Sequence, residues 1–125
     1  MTKAQHARLK LRAPQLLPRD VALDFPAGWF DLVYDTCVTL NNHLVTQIAQ
    51  QAAAGHLTIP RVIAIACRYG KLRFHVEQAD ETMRTVIGVA EQASIHLCMC
   101  CGRQGHQQRR RDTLVTFCEQ HRQVS

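Results

Sequence analysis

"CMCCGRQGHQQRRRDTLVTFCEQH", Cys98 to His121, holds four of the chain's six cysteines and decides how the C-terminal part is built. Cys98 and Cys101 are two residues apart and are followed by Gly102, and Cys118 and His121 repeat the same step. Ligands at that spacing wrap one metal ion in a tight turn, and the glycine relaxes the backbone where amides point at sulfur. The full spacing, C-x2-C-x16-C-x2-H, closes a tetrahedral Cys3His shell suited to structural Zn2+. "TLVTF" (Thr113–Phe117) alternates like a strand that delivers Cys118. The expected form is a knuckle, a strand and a final ligand pair, as in zinc ribbons and treble clefs.

Two further residues compete for the shell. Cys100 stands beside Cys98 and Cys101, but the Cys98/Cys101 pair keeps the standard step. His106 completes the opening of a nucleic-acid-binding zinc knuckle, yet Arg111 stands where that motif needs its fourth ligand. A catalytic zinc keeps an open position for water, and four candidates argue for a closed, structural site. The H-x-E and P-C-x-x-C of zinc deaminases are missing. The only asparagines, Asn41 and Asn42, lie far along the chain from the metal ligands, so an HNH-like nuclease lacks its partner residue. A thioredoxin-like CxxC lacks its α/β surroundings. No Gly-rich phosphate loop or Ser/His/Asp grouping is present, so neither an enzyme nor a small-molecule substrate is indicated.

Charge is unevenly placed along the chain. The 125 residues carry a formal charge of +5. Lys3, Arg8, Lys10, Arg12 and Arg19 stand without an acid in residues 1–19, as do Arg103, Arg109, Arg110 and Arg111 in residues 103–111. The rest of the chain is net acidic. Segregation of this kind favours an anionic partner: nucleic acid or an acidic protein surface. The arginine run lies on the excursion between the two halves of the metal site. There it can grip phosphates, dock on a protein, or stay solvated.

The length suits one domain. Residues 1–26, with Pro14, Pro18 and Pro26 and no sustained period, read as a basic extended arm. Residues 27–125 read as a single α+β domain with the zinc module at 98–121. From Gly28 to about Ala54, Trp29, Val33, Cys37, Leu40, Leu44 and Ile48 form a helical core stripe capped by Gly55. "RVIAIACRYGKLRFHVE" (residues 61–77) predicts a β-hairpin with Gly70-Lys71 as a type II′ turn. In that register Arg68 faces Arg73, which calls for a neighbouring acid or a bound anion. Cys67 and His75 fall on opposite faces, a poor nucleophile–base pair. "DETMRTVIGVAEQASIHL" is a second helix with Asp80 as N-cap and Met83, Ile87, Ala90, Ser94 and Leu97 in its apolar stripe. No stretch is long enough to span a bilayer and no apolar leader stands near the start, so a reducing cytoplasm is expected.

The order of these motifs resembles a family of small, largely uncharacterised proteins of bacteriophages, prophages and other bacterial mobile elements. Gly28-Trp29, "RYGKLRFHV" (Arg68–Val76), "AEQAS" (Ala90–Ser94), Cys98-x2-Cys101-Gly102 and Cys118-x2-His121 carry the likeness, which covers roughly residues 28–121. Tyr69 replaces the usual phenylalanine, His75 replaces the aromatic after R-F, and Met99 and Cys100 replace the usual residues of the first ligand turn. The resemblance implies a setting in a bacterial host cell rather than a known reaction.

The sequence therefore predicts a helix, a β-hairpin, a second helix and a C-terminal Cys3His module holding structural Zn2+ through Cys98, Cys101, Cys118 and His121. The expected role is non-enzymatic contact with nucleic acid or a nucleoprotein complex through Arg68, Arg73, Arg103, Arg109, Arg110 and Arg111. The alternative is an inhibitor or adaptor acting on a host or defence protein, with a metal-dependent nuclease a distant third.

Overall fold

The computed structural model describes residues 3–55, 59–110 and 113–120. Among these, no helix is long and apolar enough to cross a membrane. The fold is α+β, with three α-helices and two small sheets.

The N-terminal segment is not an extended arm. Lys3–Arg12 forms helix α1, a turn opens at Pro14, and the Val21 amide closes a second turn on Pro18 O at 3.2 Å. Leu9, Ala13, Leu16, Leu17, Val21 and Phe25 are all buried in the core. Each full burial of such a leucine is worth about 1.5–3 kcal/mol, enough to hold a short helix that is marginal alone. The residues show no single period because the chain changes direction between them. Ala22–Asp24 then forms β1, a three-residue strand not foreseen from the sequence.

A 3-10 turn at Ala27–Trp29 leads into the long helix α2 (Phe30–Ala54). Trp29, Val33, Cys37, Leu40 and Leu44 are fully buried along one face, as the periodicity predicts. Asn41 on the same helix receives the Gln15 and Leu16 amides on Oδ1 at 3.0 and 3.1 Å. This bond pair fixes the N-terminal turn to the helix, and Leu16 O in turn accepts the Val62 amide at 3.1 Å. The Arg8 guanidinium lies 4.9 Å from the centre of the Tyr34 ring. Part of the N-terminal positive charge is thus spent on packing.

Strands β2 (Arg61–Arg68) and β3 (Lys71–Glu77) form the expected hairpin, and β1 adds in parallel to β2, giving the order β1-β2-β3. The register differs by one turn position from the sequence prediction. Arg68 pairs with Lys71, Cys67 with Leu72, Ala66 with Arg73 and Ile65 with Phe74. The turn residues are Tyr69 and Gly70, both with positive φ (55° and 72°), as a type I′ turn requires. Arg68 and Arg73 are therefore diagonal neighbours, not a facing pair. An irregularity between Val62 and Ala64 brings Val62 to the buried face while Ile63 is 38% exposed. His75 is opposite Ala64, and Cys67 is on the other face, as expected.

Helix α3 (Glu81–Ser94) starts on Asp80, whose side chain accepts the Met83 amide at 2.8 Å. Its buried stripe is Met83, Ile87, Ala90 and Ser94. Two of its side chains satisfy the outer edge of β3. Ser94 Oγ accepts the Leu72 amide at 2.9 Å, and Glu91 Oε2 accepts the Phe74 amide at 3.0 Å. Residues three apart on a helix thus serve amides two apart on a strand, which closes an edge otherwise open to pairing. The A-E-x-x-S and L-R-F motifs are two halves of one contact.

Candidate metal centre

The chain leaves α3 through Leu97 and enters a tight knuckle at Cys98–Gly102. The Gly102 amide donates to Cys98 O at 2.9 Å, the Cys98 amide to Arg103 O at 2.7 Å, and the Cys100 amide approaches Cys98 Sγ at 3.4 Å. Strand β4 (His106–Arg110) follows and pairs antiparallel with β5 (Thr113–Phe117), from His106 opposite Phe117 to Arg110 opposite Thr113. The predicted strand at 113–117 is present, and it returns the chain to the knuckle at Cys118.

That return brings Cys98, Cys101 and Cys118 together, with their Sγ atoms all within 4.8 Å of one another. Cys101 Sγ and Cys118 Sγ are 3.6 Å apart, too far for a disulfide. A tetrahedral thiolate site with bonds of about 2.3 Å has sulfur–sulfur edges of about 3.8 Å, so this donor set fits a metal ion. Cys98 and Cys118 are buried, and Cys101 lies at the surface. Cys100 is exposed and stays out of the cluster, and His106 is exposed at the start of β4. His121, the expected fourth ligand, lies outside the described residues, as does Arg111.

Electrostatics at the cluster suit a cation. Burial pushes the Cys98 thiol up, but the Cys118, Cys101 and Cys100 amides aimed at its sulfur outweigh that and hold it at about 6. At Cys101 the Arg103 amide works downward, yet burial and the neighbouring Cys118 and Cys98 sulfurs leave the thiol raised. The knuckle therefore favours one thiolate and resists a second without a compensating positive charge. Away from the cluster Cys37 behaves as core: burial alone pushes its thiol up to about 12.

The knuckle rests on Gly28-Trp29. The Trp29 indole, fully buried, donates from Nε1 to Leu97 O at 3.0 Å, and the Gly28 amide donates to Met99 O at 3.0 Å. A Cβ at position 28 would lie 2.3 Å from Cys98 O, so only glycine admits this approach. The core stripe that Trp29 opens is thus more than packing. Its first member positions the ligand turn, and the signal for that was an indole N–H needing a buried acceptor. The ribbon also grips the hairpin tip: Thr116 Oγ1 donates to Gly70 O at 3.0 Å and Gln107 Nε2 to Tyr69 O at 3.4 Å.

The arginines divide into two groups. Arg109 and Arg110 are in β4 rather than in a loop. Arg109 shares the face of Gln107, toward the hairpin tip, and Arg103 sits by the knuckle, donating to Gln120 Oε1 at 3.5 Å. Arg68 and Arg73 are exposed near the hairpin end, and Arg68 stacks on Tyr69 with 5.5 Å to the ring centre. No family model, curated protein or solved structure matches the chain.

Proposed function

We propose that this chain is a zinc-stabilised binding protein without enzymatic activity that contacts nucleic acid or a nucleoprotein complex. Zn2+ held by Cys98, Cys101 and Cys118, with His121 as fourth ligand, would act as a structural cross-link in a treble-clef or ribbon-like module. The observation that carries the structural role is the convergence of three thiols, two of them buried, on a knuckle backed by Gly28 and Trp29. Support for an anionic partner comes from the exposed Arg68, Arg73, Arg103 and Arg109, none of which is in an ion pair among the described residues. The bacterial-cell and mobile-element setting follows from the sequence resemblance and is part of the same proposal.

A second reading, an inhibitor or adaptor for a host protein, draws on the shallow apolar groove of about 300 Å³ between α2 and α3, where Val89 is 67% exposed. Fluorescence anisotropy of zinc-loaded protein with labelled nucleic acids at two salt concentrations tests the first. Binding that weakens steeply with salt and is reduced by Arg109–Arg111→Ala supports it. Absence of binding at low salt removes it and leaves the protein-directed role, which predicts a stoichiometric complex that survives nuclease treatment. Metal analysis of the purified protein is expected to give one zinc per chain.

A further inference from the structure

A groove of about 650 Å³ runs between the outer edge of β3 and α3, from the hairpin tip toward the first turns of the helix. Arg68, Tyr69 and Arg73 line it from the hairpin, and Arg84 lines it from α3. Its single acid, Glu91, is already engaged by the Phe74 amide at 3.0 Å. Arg68, Arg73 and Arg84 are in no ion pair among the described residues. Three arginines against one carboxylate in its lining leave an excess of positive charge in a concave site, which raises the local potential for an anion. By helix periodicity alone Arg84 reads only as a solvent-facing position.

Tyr69 gives the anion a chemical identity. It holds the first central position of a type I′ turn at φ 55°, where asparagine fits best and an aromatic residue is strained. The ring is 57% exposed, so burial does not offset that strain. The turn is anchored through its backbone, with the carbonyls of Tyr69 and Gly70 accepting from Gln107 and Thr116. A residue that opposes its turn, is unnecessary for anchoring it and presents a ring beside three arginines matches a stacking platform next to a phosphate track. That combination binds single strands, whose unpaired bases can lie on an aromatic face, whereas a duplex keeps its bases stacked internally.

We propose that the groove between β3 and α3 binds single-stranded nucleic acid, with phosphates on Arg73 and Arg84 and a base on the ring of Tyr69 beside Arg68. This rests on the proposal that the protein binds nucleic acid, and it names the strand state and the site. The zinc module has a positioning part here: by clamping the hairpin tip, the ribbon holds Tyr69 at the mouth of the groove.

The test is anisotropy titration of the metal-loaded full chain with labelled oligothymidylate and with a duplex of equal length. The variants are Tyr69→Asn, Arg73→Ala/Arg84→Ala and, on the ribbon, Arg109→Ala. Tyr69→Asn removes the ring while suiting the turn, so its thermal midpoint is expected to hold or rise as single-strand affinity falls about ten-fold. Arg73→Ala/Arg84→Ala is expected to lower affinity further and to flatten the slope of log K against log salt by about 1.4, two phosphates at about 0.7 each. Groove variants that bind the single strand like the parent while Arg109→Ala does not would overturn the groove and leave nucleic-acid binding standing. Preference for the duplex would also overturn it. Binding of neither probe would remove both proposals.

Discussion

The molecule contains two antiparallel hairpins held by opposite means. The β2–β3 hairpin supplies two strands of a three-stranded sheet, with Val62, Ile65 and Leu72 fully buried and its outer edge satisfied by Glu91 and Ser94. Among the described residues the β4–β5 ribbon has no third strand, and of its described side chains only Thr116 is fully buried. A lone two-stranded hairpin is marginal in water. One hairpin is thus stabilised by apolar burial around it, whereas the other stands on a thiol cluster that fits a metal ion. This difference predicts that the two can be lost separately.

The largest expected effect follows from removing the metal proposed for the cluster. Chelation, or Cys118→Ser, should abolish hydrogen-exchange protection in β4–β5 and at the knuckle, while α2, β2 and the buried face of β3 keep theirs. Exchange measured residue by residue checks this. Loss of protection throughout in one step would show that the domain has a single cooperative unit and would break the comparison. Next in size is Gly28→Ala. The added methyl must displace the Cys98 carbonyl, so metal affinity is expected to fall about 10–100-fold, the range for disturbed support of metal ligands. Competition with a chromophoric chelator measures it, and unchanged affinity would mean that the knuckle does not rely on the Gly28-Trp29 platform.

The same contrast explains what could be read from the sequence. Both main helices and the cysteine cluster were legible because each follows a simple spacing: Trp29 to Leu44 on one helix, Met83 to Ser94 on the other, and the Cys98-x2-Cys101 step with Cys118 after a strand. What escaped was set by tertiary contact. The hairpin turn falls on Tyr69-Gly70 rather than Gly70-Lys71 because Gly70 O is held by Thr116, and a Cβ at position 70 would meet Leu114 O at 2.8 Å, both constraints from a distant strand. That docking overrides the local preference against tyrosine at positive φ. β1 is three residues long and pairs in parallel, below any periodic signal. The N-terminal residues show no pattern because Leu9, Leu16 and Phe25 meet the core from three separate segments. The arginine run reads as a loop by composition, yet Arg109 and Arg110 continue a strand whose partner, Thr113–Phe117, was visible. The other members of the resemblance pattern turn out to be contact partners, Gly28-Trp29 with the knuckle and L-R-F with A-E-x-x-S.

A smaller effect should come from the sheet edge. Ser94→Ala leaves the buried Leu72 amide without its acceptor, at an expected cost of about 1–3 kcal/mol in urea unfolding. Metal affinity should stay at the parental value, because this contact belongs to the burial-stabilised hairpin. A concurrent fall in metal affinity would show that strain at β3 reaches the knuckle through the hairpin tip and would blur the division.

The smallest effect lies on the helices and is read by pH. His43 Nε2 and Asp80 Oδ2 are 2.8 Å apart, joining α2 to the cap of α3. Burial works to raise the Asp80 carboxyl, but the Met83 amide, His43 and the Thr82 amide outweigh it and leave it below its ordinary value. A carboxyl depressed in the folded state contributes stability above its unfolded pKa of about 3.9, and that contribution disappears as pH falls through the lower folded value. The group is substantially exposed, so solvent screening keeps the contribution small. Asp80→Asn preserves a good N-cap and removes the charge. In metal-free protein, whose remaining fold is the burial-stabilised part, the parent should lose slightly more stability than the variant between pH 5 and pH 3. The metal-loaded parent should show in addition a larger loss confined to the ribbon, because its thiol ligands must be deprotonated to hold the ion. If acid affected both hairpins equally in the loaded protein, the thiol cluster would not be the separate support that distinguishes them.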